Sequence, residues 1–350
     1  MEKEAGVNEM SPVGTARAAA DGTESAVRQD VGAPAGRRRL KLGMDRYSGL
    51  YVLALIILVF GLWVPETFLT VQTFKGIALQ QAITAILALA SLAPYAAGVF
   101  DISVAAMLGL SVVVVCKLQS IGVNAAVAVV LTLLVGTVVG AVNGFVVVGL
   151  RINSFVATLG TSSVLGALVY WVSDNQQITT GISESFVELG QGAVLGIPLP
   201  VVYLAVVALV IGFVLEFRPV GRKLYATGGN ELAARLSGVR TDRLVVASFL
   251  ISGTIAALAG VIFAAMIGSA SLTAGPPFLL PAFAAVFLGA TQIHSGRANV
   301  LGTLIAVAVL GTGVKGLLLV GAQFWVSDLF NGLALIAAVA LAVRRSRSGV

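Results

Sequence analysis

"VNAAVAVVLTLLVGTVVGAVNGFVVV", Val123 to Val148, carries no charged side chain from end to end. An α-helix rises about 1.5 Å per residue and must cross about 30 Å of hydrocarbon, so roughly 17 to 25 mostly apolar residues span a bilayer. This stretch reads as a spanning helix, and the chain around it repeats the pattern. Ten apolar runs emerge, at about 49–65, 76–96, 103–117, 123–148, 154–172, 199–216, 244–267, 278–292, 298–320 and 326–343. The third and eighth are short, the second carries Pro94 and several are crowded with glycine, which predicts that some are broken or only partly spanning. Composition agrees: 58% of the 350 residues are hydrophobic and 11% are charged, which does not describe an ordinary soluble globule. The expected fold class is an all-α polytopic membrane protein with about ten transmembrane helices.

Lysine and arginine provide an independent test, because orientation follows their distribution among short loops. With the N-terminus inside and ten crossings, 19 of the 22 basic residues fall on the cytoplasmic side: eight before the first run, Arg151, six from Arg218 to Arg243, Arg297 and three after the last run. Only Lys75, Lys117 and Lys315 fall outside. Inverting the chain, or removing a crossing before residue 218, puts much of that charge on the wrong side. Both termini are therefore expected in the cytoplasm, and the five-plus-five arrangement of runs permits two halves of opposite orientation. The net charge of +6 does not point to nucleic acid, since the basic residues lie in short segments between apolar runs.

Residues 1–48 read as a disordered basic cytoplasmic tail, without apolar periodicity or a signal-peptide core. It ends in "GRRRLKLGMDR", Gly36 to Arg46, an orientation signal and headgroup anchor or, in a sharper reading, a regulatory lipid site. The membrane domain follows over 49–343, and 344–350 form a second short basic tail. The longest outer connection, about 173–198, contains Asp174, Glu184 and Glu188 but no basic residue; the longest inner one is 217–243.

Several chemistries lack their residues. The one cysteine, Cys116, allows no intrachain disulfide and no cysteine metal cluster, and reads as a small buried filler. "GTGVKG", Gly311 to Gly316, lacks both the spacing of a phosphate loop and the hydroxyl after its lysine, so the chain is not expected to hydrolyse ATP itself. The lone histidine, His294, sits in an inner turn and offers no nucleophile relay, so enzyme chemistry is not expected. Among charged residues at the runs, Lys315 reads as snorkelling and Asp328 as an N-cap; Asp101 either caps the following run together with Ser103 or belongs to a pathway. Neutral polar residues remain, including Gln80, Gln81, Asn143, Asn153, Thr158, Thr161 and Ser162, with Phe283 two residues after Pro281. They read as interhelical glue or as substrate contacts, and the candidate pathway set is Gln81, Asp101, Asn143, Thr158 and Phe283.

The inner connection contains "YATGGNELAARLSG", Tyr225 to Gly238. Asn230 is a favourable N-cap, Glu231 suits the positive end of a helix and Gly238 can take the left-handed conformation that ends one. Glu231 and Arg235 are placed for an i,i+4 ion pair, while Leu232 and Leu236 share another face. A helix this short needs support. Ala233 and Ala234 offer small side chains where another surface could approach closely, as in a partner's cleft; the alternative is a helix resting on its own bundle or at the headgroups.

"GGNELAARLSGV", "NSFVATLG" at Asn153 to Gly160 and "GVFDISVAAMLGLS" at Gly98 to Ser111 together resemble the permease subunits of ribose-type ATP-binding cassette importers. The resemblance covers about residues 50–343 and is strongest where "GRKLYATGGNELAARLSGVRTDRL" precedes "ISGTIAALAGVI". It extends to "GATQIHSGRANVLGTLI", Gly289 to Ile305, where Ala290 and "QIHSGR" replace a glycine pair and a serine-glycine-glycine turn usual in the family. Ala105 and Ala106 likewise stand where a glycine is usual. The resemblance implies a coupling helix that docks on an ATPase subunit, with that role on Gly229, Asn230, Glu231, Ala233, Ala234, Arg235, Ser237 and Gly238. It also implies no cofactor on this chain, with ATP and Mg on the partner ATPase. The other implied partners are an extracytoplasmic sugar-binding protein, a second permease copy (homodimer or related chain) and the lipids of a bacterial inner membrane. The implied cargo is a monosaccharide, ribose-like or another simple sugar, and a pathway without ionised groups suits it. Nucleosides or branched-chain amino acids are the alternatives within the class, and an ATP-independent secondary carrier is the alternative outside it.

Overall fold

The computed structural model describes residues 47–294 and 296–348, with backbone alone from 341 onward. The N-terminal tail up to Arg46, with its basic segment, lies outside the described residues. The elements are α1 (Ser48–Trp63), α2 (Pro65–Phe68), α3 (Val71–Ala96), α4 (Val104–Ser120), α5 (Ala125–Val148), α6 (Ser154–Ser173), α7 (Glu184–Gln191), a hairpin of β1 (Ala193–Val194) and β2 (Ile197–Pro198), α8 (Leu199–Gly212) with a π-helical extension Phe213–Phe217, α9 (Pro219–Gly229), α10 (Glu231–Leu236), α11 (Thr241–Ile267), a 3-10 turn Pro276–Phe278, α12 (Leu279–Ala290), α13 (Val300–Leu319) and α14 (Trp325–Ser348).

Among the described residues, six helices are long and apolar enough to cross a membrane: α3, α5, α6, α8 with its extension, α11 and α13. Four shorter apolar helices, α1, α4, α12 with its 3-10 turn, and α14, complete a set that matches the ten runs one for one. The chain is thus an all-α, multi-pass membrane protein. The last helix continues to Ser348, into the stretch read as a closing tail. Pro94 does not interrupt the body of α3: it lies within the final turn, and the helix ends two residues later at Ala96. Gly311–Gly316 lie inside α13, so that stretch is helical and not a loop.

The centre of the bundle is α3, buried on every face from Ala82 to Pro94. A helix apolar all round belongs in such a position. Around it α11 packs on α5, α4 and α3, α12 on α13 and α14, and α1 on α13. At the periphery α5 turns Leu134, Val138 and Phe145 outward, an apolar surface that lipid can cover.

The glycines of α5 act differently from the breaks that their crowding predicts. Gly136, Gly140 and Gly144 form a stripe at four-residue spacing along an unbroken helix, and α11 lies against it. A Cβ at Gly140 would stand 2.3 Å from the Phe249 carbonyl oxygen, and one at Gly253 would stand 2.3 Å from that of Gly136. The backbones touch because the side chains are missing, as small residues permit between membrane helices. Thr137 and Thr254 add a hydroxyl pair at 2.9 Å across the same seam.

Candidate functional site

Proline at the first position opens α9, where its missing N–H costs nothing. The chain leaves α9 at Gly229 and turns through Asn230, whose Oδ1 accepts from the Ala233 N–H at 3.0 Å and so caps α10. Eight residues later Gly238, at φ +80, ends the elbow in the left-handed region. The helix, its cap and its terminator thus lie where the sequence reading puts them. Tyr225 to Gly229, which precede the expected helix, are also helical as the last turns of α9.

Arg235 holds this short helix in place. Its Nη2 donates to Glu231 Oε1 at 2.8 Å and also pairs with Asp242, while its Nε donates to Thr241 Oγ1 at 2.8 Å. Since Thr241 and Asp242 begin α11, Arg235 ties α10 to that helix rather than standing free for a partner. Ala234 is 5% exposed and faces the chain's own bundle, which corrects the expectation that both alanines are presented outward. Two residues are about 200° of rotation on a helix of 3.6 residues per turn, so Leu232 and Leu236 must face away from Ala234. They are 69% and 82% exposed, beside the exposed Ala233 and Ser237.

The elbow bears directly on the end of α3. A Cβ at Gly228 would lie 2.4 Å from the Ala96 carbonyl oxygen, and one at Gly98 (φ +81) would lie 2.9 Å from the Gly228 Cα. A second tie runs to the turn before α13. Arg297 donates to Glu216 Oε2 at 2.8 Å and stacks 3.9 Å above the Tyr225 ring, whose hydroxyl donates to the Ala298 carbonyl at 2.8 Å. Burial raises the Tyr225 phenol above its ordinary value against the opposing pull of Arg297, which keeps it a neutral donor.

Beyond Gly98 the connection to α4 carries Asp101, buried with both carboxylate oxygens occupied. Oδ1 accepts from the Ser103 N–H at 3.1 Å and the Ser103 hydroxyl at 2.6 Å, and Oδ2 accepts from the Ser252 hydroxyl of α11 at 2.7 Å. Asn143 of α5 continues the network, donating to Ser103 Oγ at 2.9 Å and accepting from the Thr161 hydroxyl of α6 at 2.6 Å. Thr158 accepts from the Ile102 N–H at 3.1 Å and donates to the Ser154 carbonyl at 2.8 Å. Three of the five candidate pathway residues are therefore brought together, but their hydrogen bonds go to the protein, which makes them glue between helices. Phe283 lines a separate, wholly apolar crevice with Phe100, Phe155 and Phe287. Gln81 lies in the other half of α3.

Sequence reasoning pairs Asp101 with Ser103 but misses Ser252, 151 residues away; its only signal is a small hydroxyl in an apolar run. Asp101→Ala leaves three buried donors without an acceptor, at about 1–3 kcal/mol for each orphaned group. A lower unfolding temperature in detergent is expected, with a smaller loss for Asp101→Asn, which keeps one acceptor oxygen.

The family described as branched-chain amino acid transport system / permease component matches residues 73–339. The D-allose transport system permease protein AlsC of Escherichia coli is 34% identical over 298 residues, covering 85% of this chain and 91% of that protein. The ribose import permease protein RbsC of Haemophilus influenzae is 32% identical over 83% of this chain and 90% of its own. The L-arabinose transport system permease protein AraH of Escherichia coli is 33% identical over 84% and 89%. No solved structure matches the chain.

Proposed function

Because the chain belongs to the branched-chain amino acid transport system / permease component family, we propose that it is the membrane-spanning subunit of an ATP-driven importer of a monosaccharide. The sugar class is supported by the allose, ribose and arabinose permeases that it resembles along most of its length. The observation that carries the coupling is the outward leucine pair of α10, an apolar face on a helix whose opposite side is anchored to the bundle.

In this reading both termini and α10 are cytoplasmic. A separate ATPase holds ATP and Mg²⁺ and seats Leu232, Leu236, Ala233 and Ser237 in a cleft, with Gly229 and Gly238 leaving room at either end of the helix. Asn230 and the Glu231–Arg235 pair keep the helix formed. A second permease copy supplies a second α10, and an extracytoplasmic binding protein delivers sugar to the opposite face, where α7 and the hairpin lie. Closure of the ATPase pair moves the elbow, and Gly228 against Ala96 passes that movement to α3 and the Asp101 connection. Each state is selected only as far as the ATPase and the loaded binding protein contact it differently.

Uptake of labelled D-ribose, D-allose, L-arabinose, uridine and leucine into cells expressing the complete transporter tests the proposal. Accumulation of at least one of the sugars, abolished without the ATPase, is the expected result. Uptake of uridine or leucine alone overturns the cargo. Uptake that survives loss of the ATPase and collapses with an uncoupler overturns the class.

A further inference from the structure

In the half of the bundle away from α10, a cavity of about 540 Å³ opens between α3, α13, α14 and the Pro276–Phe278 turn. Its size falls within the range of small-molecule pockets, roughly 300–1,000 Å³. Asn331, 8% exposed, lines it, and its buried Oδ1 has no hydrogen-bond partner. Thr84, also buried, and Gln80 and Gln81 line the same cavity, and none of these side chains hydrogen-bonds to another described residue. Gln81 is held against Gly311, where a Cβ would come within 2.3 Å of its Cγ.

These side chains differ from the Asp101 network in one decisive respect. Polar groups that glue membrane helices bond to one another; these line a space and have no hydrogen-bond partner among the described residues. An unsatisfied polar group away from water costs several kcal/mol, so the arrangement calls for an occupant that both donates and accepts. Carboxamides and a hydroxyl match hydroxyl groups, each of which does both. Phe278 adds an aromatic surface for the C–H face of a ring, and Asp328 contributes an exposed carboxylate acceptor. Asp328 lies in the first turn of α14 rather than at its N-cap, which corrects its sequence reading.

We propose that this cavity is a binding site for a neutral, polyhydroxylated cargo, with Asn331, Gln81 and Thr84 bonding its hydroxyls. The assignment rests on the monosaccharide reading above and locates recognition within a single chain.

The test measures uptake and binding-protein-stimulated ATPase activity of the assembled transporter carrying Thr84→Val or Asn331→Leu, using whichever of D-ribose, D-allose and L-arabinose the unmodified transporter takes up. Each variant is expected to lower uptake roughly tenfold, the equivalent of about 1.4 kcal/mol, at unchanged membrane abundance and ATPase stimulation. A Thr84→Cys chain in a Cys116→Ser background gives a readout that does not depend on turnover. A hydrophilic thiol reagent is expected to label it, and excess sugar to slow the labelling severalfold. Normal uptake in both variants, or labelling indifferent to sugar, overturns the cavity while leaving the importer standing. An unmodified transporter that takes up none of the three sugars overturns the monosaccharide reading, and the cavity's assignment with it.

Discussion

A chain carrying Leu232→Asp and Leu236→Asp is expected to reach the membrane at its usual level and to import nothing. Both leucines are largely exposed, so the changes remove little internal contact, and the cap at Asn230 and the Arg235 ties are untouched. Burying a leucine contributes about 1.5–3 kcal/mol, so losing two at a docking surface weakens ATPase binding by roughly a hundredfold or more. Placing carboxylates in the cleft adds an unpaired-charge penalty. Co-purification of the ATPase and sugar uptake are expected to fail together. The alanines separate the two faces of the same helix: Ala233→Trp blocks docking in a folded protein, whereas Ala234→Trp forces α10 off its own bundle and lowers stability. Unimpaired ATPase association in the double aspartate variant contradicts the docking role.

Gly140→Val is expected to prevent a stable fold. The new Cβ stands 2.3 Å from the Phe249 carbonyl oxygen and 2.9 Å from the Leu250 Cα, and backbone atoms cannot swing aside as a flexible side chain does. Helices α5 and α11 must separate, which also pulls Ser252 from Asp101 and Thr254 from Thr137. Overpacking a tight site typically costs 1–3 kcal/mol and sometimes more; contact with backbone puts this change above about 3 kcal/mol. Gly160→Ala on α6 is the control, since nothing lies within 4 Å of its Cβ and alanine favours the helix by about 1 kcal/mol. Size-exclusion profiles in detergent are expected to show aggregated Gly140→Val and monodisperse Gly160→Ala protein.

The spanning helices were readable because length and apolarity alone decide them in lipid. Asn230 and Gly238 were readable because capping is local, and Glu231 with Arg235 because four residues bring them to one helical face. Which face of α10 turns inward was not readable: Ala233 and Ala234 are alike in sequence, and only the surface beneath distinguishes them. The helical state of Tyr225 to Gly229 was hidden by two glycines, a composition that suggests a turn. Gly228 is there to let α9 reach the Ala96 carbonyl. The glycine spacing of α5 is in plain view in the sequence, but crowding alone suggests weakness where four-residue spacing means close packing. Asp101, Asn143 and Thr158 stand out in the sequence as polar groups at apolar runs, yet whether such residues face cargo or one another depends on contacts such as that to Ser252, made across the whole fold.

Cross-linking from the outward face of α10 tests the coupling claim most directly. Native membranes containing a Ser237→Cys chain, with Cys116→Ser to remove the native thiol, are treated with a short thiol-reactive cross-linker and the captured partner is identified by mass. The account predicts capture of an ATPase bearing a phosphate loop, and loss of that product when Leu232 and Leu236 are aspartate. A cysteine that labels freely while no ATPase is captured, in a membrane that still imports sugar, contradicts it.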